Sequence, residues 1–346
     1  MKSLIRQPID VTRRQTWWAP VPGLALAAGG AMVALLVANL GGAIPPSSVA
    51  VALGIAFGNV ITIPEGAHPG VRIASKQVLR VGVVLLGFRL VLDDVIALGP
   101  AALVLVTCVA GGTLAGIILL GRLMQVGRKM SMLTGTGFAI CGASAVAAAQ
   151  GMVEAEEEDV AAALGLVLLF GTLSIAILPL AAVILDLPSG VTGAWIGAAI
   201  HDVGQAVAAA ELVGGDALEV AILIKLGRVL LLGPVIVVLA LMMRAHKGAT
   251  EGGRAVRFLP WFVLGFGVAV GLRSLDVVPS GTLSSIALAE RASFGVALFA
   301  MGTEVRWRRL RALGWRPIAV GAIAWLALAL VGLIGGMFIM GTAPRI

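Results

Sequence analysis

Apolar runs of about 20 residues recur along the whole 346-residue chain, and each is long enough to cross a hydrocarbon core ~30 Å thick. Nothing else restricts the fold so severely, because a chain segmented this way has no room for a sizeable soluble domain. With 59% hydrophobic and 12% charged residues and a mean hydropathy of +1.04, it lies far outside soluble averages. The expected class is an all-α polytopic membrane protein, one integral membrane domain over residues 1–346, with the lipid bilayer as its first partner. The 46 glycines are embedded in the apolar runs, where Gly lets membrane helices pack backbone to backbone. Cys108 and Cys141 both fall inside apolar runs, so no disulfide framework is expected. The first apolar stretch, to Leu40, is too long for a signal-peptide core and reads as a retained span.

Eleven candidate spans lie at about 18–40, 47–63, 76–96, 99–121, 131–153, 160–185, 193–213, 218–243, 258–274, 281–303 and 317–341. Charges between them orient the chain. One side receives the N-terminus, Arg72, Lys76, Arg122, Arg128, Lys129, the stretch from Arg244 to Arg257, and Arg306 to Arg316. The other receives the acidic run Glu154–Asp159 and Glu211, Asp216 and Glu219. The positive-inside rule makes the first side cytoplasmic, giving an N-in, C-out protein of a bacterial plasma (inner) membrane. The net charge of +7 is thereby accounted for by topology, and no nucleic-acid partner is expected.

The stretch SMLTGTGFAICGASAVAAAQGMV (131–153) is poorly built for a regular helix. Gly135, Gly137 and Gly142 each cost roughly 1 kcal/mol relative to Ala, and Thr134, Thr136, Cys141 and Ser144 add small polar groups. A backbone opened at membrane depth must be satisfied by protein or a water-filled cavity. It then offers N–H groups and a positive dipole end to an anion, or carbonyls to a cation. A related segment, GAAIHDVGQAVAAA (197–210), predicts a second interruption within 193–213. Taken as complete crossings, the two run in the same direction, which does not suit an inverted pair. A second repeat is clearer: GFRLVLDDVIALG (87–99) aligns with GTEVRWRRLRALG (302–314), the first turn facing outward and the second inward. Oppositely oriented repeats are the signature of an inverted-repeat transporter.

Ionisable groups inside a span mark function by default. Lys225 and Arg228 share a helix face, with Arg228 roughly 15 Å along its span, near mid-bilayer. No acid lies within a turn of either, so their counter-charge comes from another helix or from a bound anion; pairing with Asp202, Glu211 or Glu290 is the structural alternative. His201, Asp202 and Gln205 sit mid-span. His201 or Asp202 could take up a coupling proton, or the trio could simply join helices by polar contacts. Glu290 and the adjacent Arg291 read as packing ion pairs, and the acidic run 154–159 as a solvated helix cap. No dinucleotide loop in a βαβ setting, zinc-protease spacing, nucleophile elbow or Walker lysine is present. No enzymatic activity, cofactor or metal is therefore expected.

FAICGASAVAAA, GAAIHDVGQAVAAA and KLGRVLLLGPV, in that order and spacing, resemble the bacterial sulfate exporter family (YeiH-like proteins, UPF0324) from about residue 50 onward. More distantly, the interrupted segments are similar to those of bile acid/sodium symporters and cation/proton antiporters. The resemblance implies two inverted repeats, discontinuous helices that cross, and a core bundle (around 131–153 and 193–213) moving against a panel formed by the other spans. It implies a secondary active exporter of a small anion of the sulfate or sulfite class, with proton or sodium coupling, and is compatible with a homodimer. The family pattern falls on Cys141, Gly142, Ser144, His201, Gln205, Lys225 and Arg228, with Asp202 where a Glu often stands. The expected substrate contacts are thus Thr136, Cys141, Gly142, Ala143, Ser144, Gln205, Lys225 and Arg228, with His201 and Asp202 as coupling residues. A cation/proton antiporter or sodium-coupled organic anion transporter is the alternative.

Overall fold

In the computed structural model, which describes residues 20–41, 45–97, 99–247, 261–306 and 314–342, helices follow one another with short connections. They are α1 (Val21–Gly41), α2 (Pro46–Val60), α3 (His68–Ile73), α4 (Leu79–Leu86), α5 (Leu92–Ala97), α6 (Gly99–Leu123), α7 (Arg128–Ala139), α8 (Ala143–Val153), α9 (Glu157–Ile184), α10 (Ser189–Ala199), α11 (Val203–Val213), α12 (Ala217–Leu230), α13 (Leu232–Lys247), α14 (Trp261–Ser274), α15 (Ser280–Glu304) and α16 (Trp315–Thr342). A π-helical turn, Ala74–Val78, joins α3 to α4, and a 3-10 turn, Gly87–Arg89, closes the resulting rod. Among the described residues, six segments are long and apolar enough to cross a membrane.

The interruptions expected near 131–153 and 193–213 are present, at 140–142 and 200–202, but the chain does not continue through them. It doubles back. A Cβ built on Gly137 would lie 2.9 Å from Val146, and one on Gly127 would lie 4.0 Å from Asp159 Oδ1, so α8 returns along α7 to the end where α7 began. Likewise a Cβ on Gly215 would lie 2.8 Å from Ser189 Oγ, and Ser189 donates to Asp216. The two stretches are therefore helical hairpins rather than crossings, which corrects the eleven-span reading. The correction also moves the acidic run at 154–159 to the end that carries Arg122, Arg128 and Lys129.

The hairpins enter from opposite ends and meet at their tips, where the Phe138 and His201 rings stack with centroids 3.8 Å apart. That arrangement resolves the direction conflict: two similar segments that would be parallel as spans are antiparallel as hairpins. The other sequence repeat lies partly outside the described residues, since its second copy includes 307–313.

The helices sort into two packed groups. The first comprises α1, α2, the α3–α4 rod, α14 and α15; the second comprises α6, both hairpins, α9, α12 and α16. Small residues allow close approach within the first: a Cβ on Gly54 would lie 2.2 Å from the Phe299 carbonyl oxygen, and one on Gly58 2.5 Å from that of Thr303. Any larger residue there would push α2 off α15 and forfeit the contacts that join them.

Candidate functional site

The hairpin tips place four helix ends near the middle of the bundle. The C-termini of α7 and α10 point at each other, leaving backbone carbonyls without intrahelical partners. Arg228, on α12 and fully buried, satisfies both. Its Nε donates to Ala139 O at 2.9 Å; one terminal nitrogen donates to Ala198 O at 2.6 Å and Ile200 O at 2.9 Å; the other donates to Phe138 O. Lys225, also fully buried, donates to Ile200 O. The counter-charge for this cationic pair is thus the negative ends of two helix dipoles, and no carboxylate touches either side chain among the described residues.

The N-termini of α8 and α11 are treated differently. Asp202 caps α11, its Oδ1 accepting from Gly204 N–H at 2.9 Å. The α8 N-terminus has no side-chain cap, so the N–H groups of Ala143 and Ser144 find no acceptor within the helix. Both residues line a cavity of about 660 Å³ between the two helix groups. The second group lines it with Cys141, Ala143, Ser144 and Asp202; the first contributes Ser75, Lys76, Arg80 and Glu304. Ser75 Oγ donates to Glu304 Oε1 at 2.9 Å, and the Arg80 guanidinium lies 5.6 Å from the centre of the Phe262 ring. Lys76 and Arg80 lie midway along the α3–α4 rod, whereas Trp261 and Glu304 stand at the basic ends of α14 and α15, so the cavity extends from the hairpin tips toward that end.

Four of the expected site residues, Cys141, Ala143, Ser144 and Asp202, therefore share one wall. Gly142 is beside them: its φ of +64° and ψ of −131° suit only glycine, and a Cβ there would lie 3.0 Å from Asp202 Oδ2. Gly142→Ala is expected to combine about 1–3 kcal/mol of backbone strain with displacement of Asp202, read as a lowered melting temperature together with weakened ligand stabilisation. The remaining expected residues do not line the cavity. Thr136 donates its hydroxyl to Met132 O at 2.7 Å. Gln205 is buried against Gly171, and His201 is fully buried in its stack on Phe138.

Neither Lys76 nor Arg80 is among the expected site residues: Lys76, at the start of a predicted span, reads as topological, and Arg80, inside that span, is a position the sequence reading missed. Two signals could have singled them out: their four-residue spacing puts both on one helix face, and a π turn often marks a functional position.

An all-helical chain with several apolar helices of membrane-crossing length defines a multi-pass membrane protein. Within that class, the sequence matches the family described as conserved hypothetical protein 698 over residues 22–321, and the chain belongs to it. Relatives named UPF0324 membrane protein include one from Corynebacterium glutamicum, 37% identical and covering 86% of both chains. Another, from Pseudomonas aeruginosa, is 33% identical over 89% of this chain and 92% of its own. A third, from Bacteroides thetaiotaomicron, is 30% identical over 85% and 89%. No solved structure matches the chain.

Proposed function

We propose that this protein is a secondary transporter that exports a small anion of the sulfate or sulfite class across the bacterial inner membrane, working by alternating access without enzymatic turnover. The observation that carries this reading is the uncapped α8 N-terminus facing Lys76 and Arg80 across a cavity at the hairpin tips. Helix N-termini attract anions through free N–H groups and the dipole, and the two cations supply the opposing charge. In this reading nine segments cross the bilayer, two opposed hairpins form the centre of an inverted repeat, and the basic end is cytoplasmic by the positive-inside rule. The group holding the hairpins acts as the core and the other as the panel. The cavity then faces the cytoplasm, as an exporter awaiting its substrate requires.

Asp202 and Glu304 share the cavity with the cations, so an entering anion meets two carboxyl groups. Protonating one removes a repulsion of the anion, which makes proton coupling the natural accompaniment and Asp202 its carrier. The expected result for Asp202→Asn is flux that no longer responds to a pH gradient while still responding to an anion gradient.

The same two acids support a second reading, a cation/proton antiporter. Protein reconstituted in liposomes separates the two. Saturable sulfate or sulfite flux driven by its own gradient supports the anion reading. Sodium or potassium flux against protons, with no anion flux, replaces it with the second. A binding screen gives an independent check, because ligand at 100 times its Kd stabilises the folded protein by about 2.7 kcal/mol.

A further inference from the structure

The seam between the two helix groups carries a second polar cluster, at the acidic end and away from the cavity. Arg89 closes the α3–α4 rod, with its Nη1 3.5 Å from Glu219 Oε1 and 3.6 Å from Glu290 Oε1. Glu219 lies in the first turn of α12, in the second group, whereas Glu290 is on α15, in the same group as Arg89. Ser47, at the start of α2, donates to Glu211 near the end of α11. Two polar links therefore bridge the groups at this end. At the basic end the cavity parts them, and Ser75 and Glu304 bond to each other within one group.

We propose that Arg89–Glu219 and Ser47–Glu211 form a latch that holds the acidic end shut while the basic end stands open. Arg89 is suited to a reversible closure because it has two carboxylate partners, one on each side of the seam. When the groups separate, Glu290 keeps the guanidinium neutralised, so opening breaks one ion pair without stranding a charge. Glu290, with its side chain 2% exposed, is the resting partner; Glu219, 24% exposed, is the one released. A seam tied at one end and open at the other is the geometry of two bodies that rock, and a modest change at the tie redistributes such a pair of states.

The purpose of the latch rests on the transport reading; its test does not, because hydrogen–deuterium exchange on the purified protein reports the two ends directly. Glu219→Gln is expected to speed exchange roughly tenfold around residues 210–219 and at the start of α2, and to slow it at Ala143–Ala148, where the cavity closes. Ser47→Ala, which removes the second link without altering a charge, is expected to shift both ends in the same directions by less. Glu290→Gln leaves both bridging links in place but strands the Arg89 charge on opening, so it is expected to slow exchange at the acidic end. Faster exchange at the acidic end without protection at the basic end would mean local loosening and overturn the latch, as would no change in either Glu219→Gln or Ser47→Ala. Failure to find either anion or cation flux in liposomes would overturn the transport reading and leave these exchange results standing.

Discussion

Arg228→Ala is expected to destabilise the folded protein by about 3–5 kcal/mol, the range for removing one side of a buried charged interaction. The guanidinium is the shared cap of α7 and α10, and its loss leaves the carbonyls of Phe138, Ala139, Ala198 and Ile200 without that partner. Each buried acceptor so stranded costs about 1–3 kcal/mol, and the contributions overlap because the tips relax together. Arg228→Lys restores the charge but not the planar fork that reaches two helices at once, so it is expected to recover only part of the loss. Denaturation in detergent monitored by circular dichroism measures both. The opposite outcome is equally informative: a variant with unchanged stability and lost anion binding would make Arg228 a ligand-binding residue after all.

Replacing both Lys76 and Arg80 by Ala is expected to reverse that pattern, with anion affinity falling about 100-fold or more and stability nearly unchanged. A charge-assisted hydrogen bond contributes about 1.5–3 kcal/mol, so each lost contact corresponds to roughly tenfold to a hundredfold in Kd. Both side chains are only partly buried and line the cavity opposite Ser144, so truncating them strands no buried partner. Isothermal titration with sulfate and sulfite, paired with the same denaturation assay, checks both halves. Retained affinity in the double variant would sink the anion site as built here.

The places where the backbone breaks were legible in the sequence because a run of glycines and small polar residues weakens an apolar helix, although Gly135 and Gly137 stay helical within α7 and only Gly142 takes up the positive-φ turn; His201–Asp202 marks the second break. The direction taken after each break was not. A stretch of 23 residues has the same length and hydropathy whether it runs straight or folds into two helices of about half its length, so hydropathy alone cannot separate a crossing from a hairpin. The site divided along a similar line. Cys141, Ala143, Ser144 and Asp202 were legible because they flank the breaks. Lys225 and Arg228 have no acid within a turn, but a sequence does not display carbonyl dipoles as counter-charges, so it offers only an acid on another helix or a bound anion in their place. Lys76 was hidden by the rule that orients the chain, since a cation near a span end satisfies the topology whether or not it also faces a cavity; Arg80, inside the predicted span 76–96, was missed although an ionisable group there marks function.

The shared cap also imposes an order on biogenesis. Both hairpins leave the ribosome before residue 228 does, so their inward-pointing carbonyls must wait, in water or beside the insertion machinery, until α12 arrives. A nascent chain ending near residue 215 would hold both hairpins without the side chain that joins their tips. The late-made helix thus supplies the bond between two elements synthesised before it.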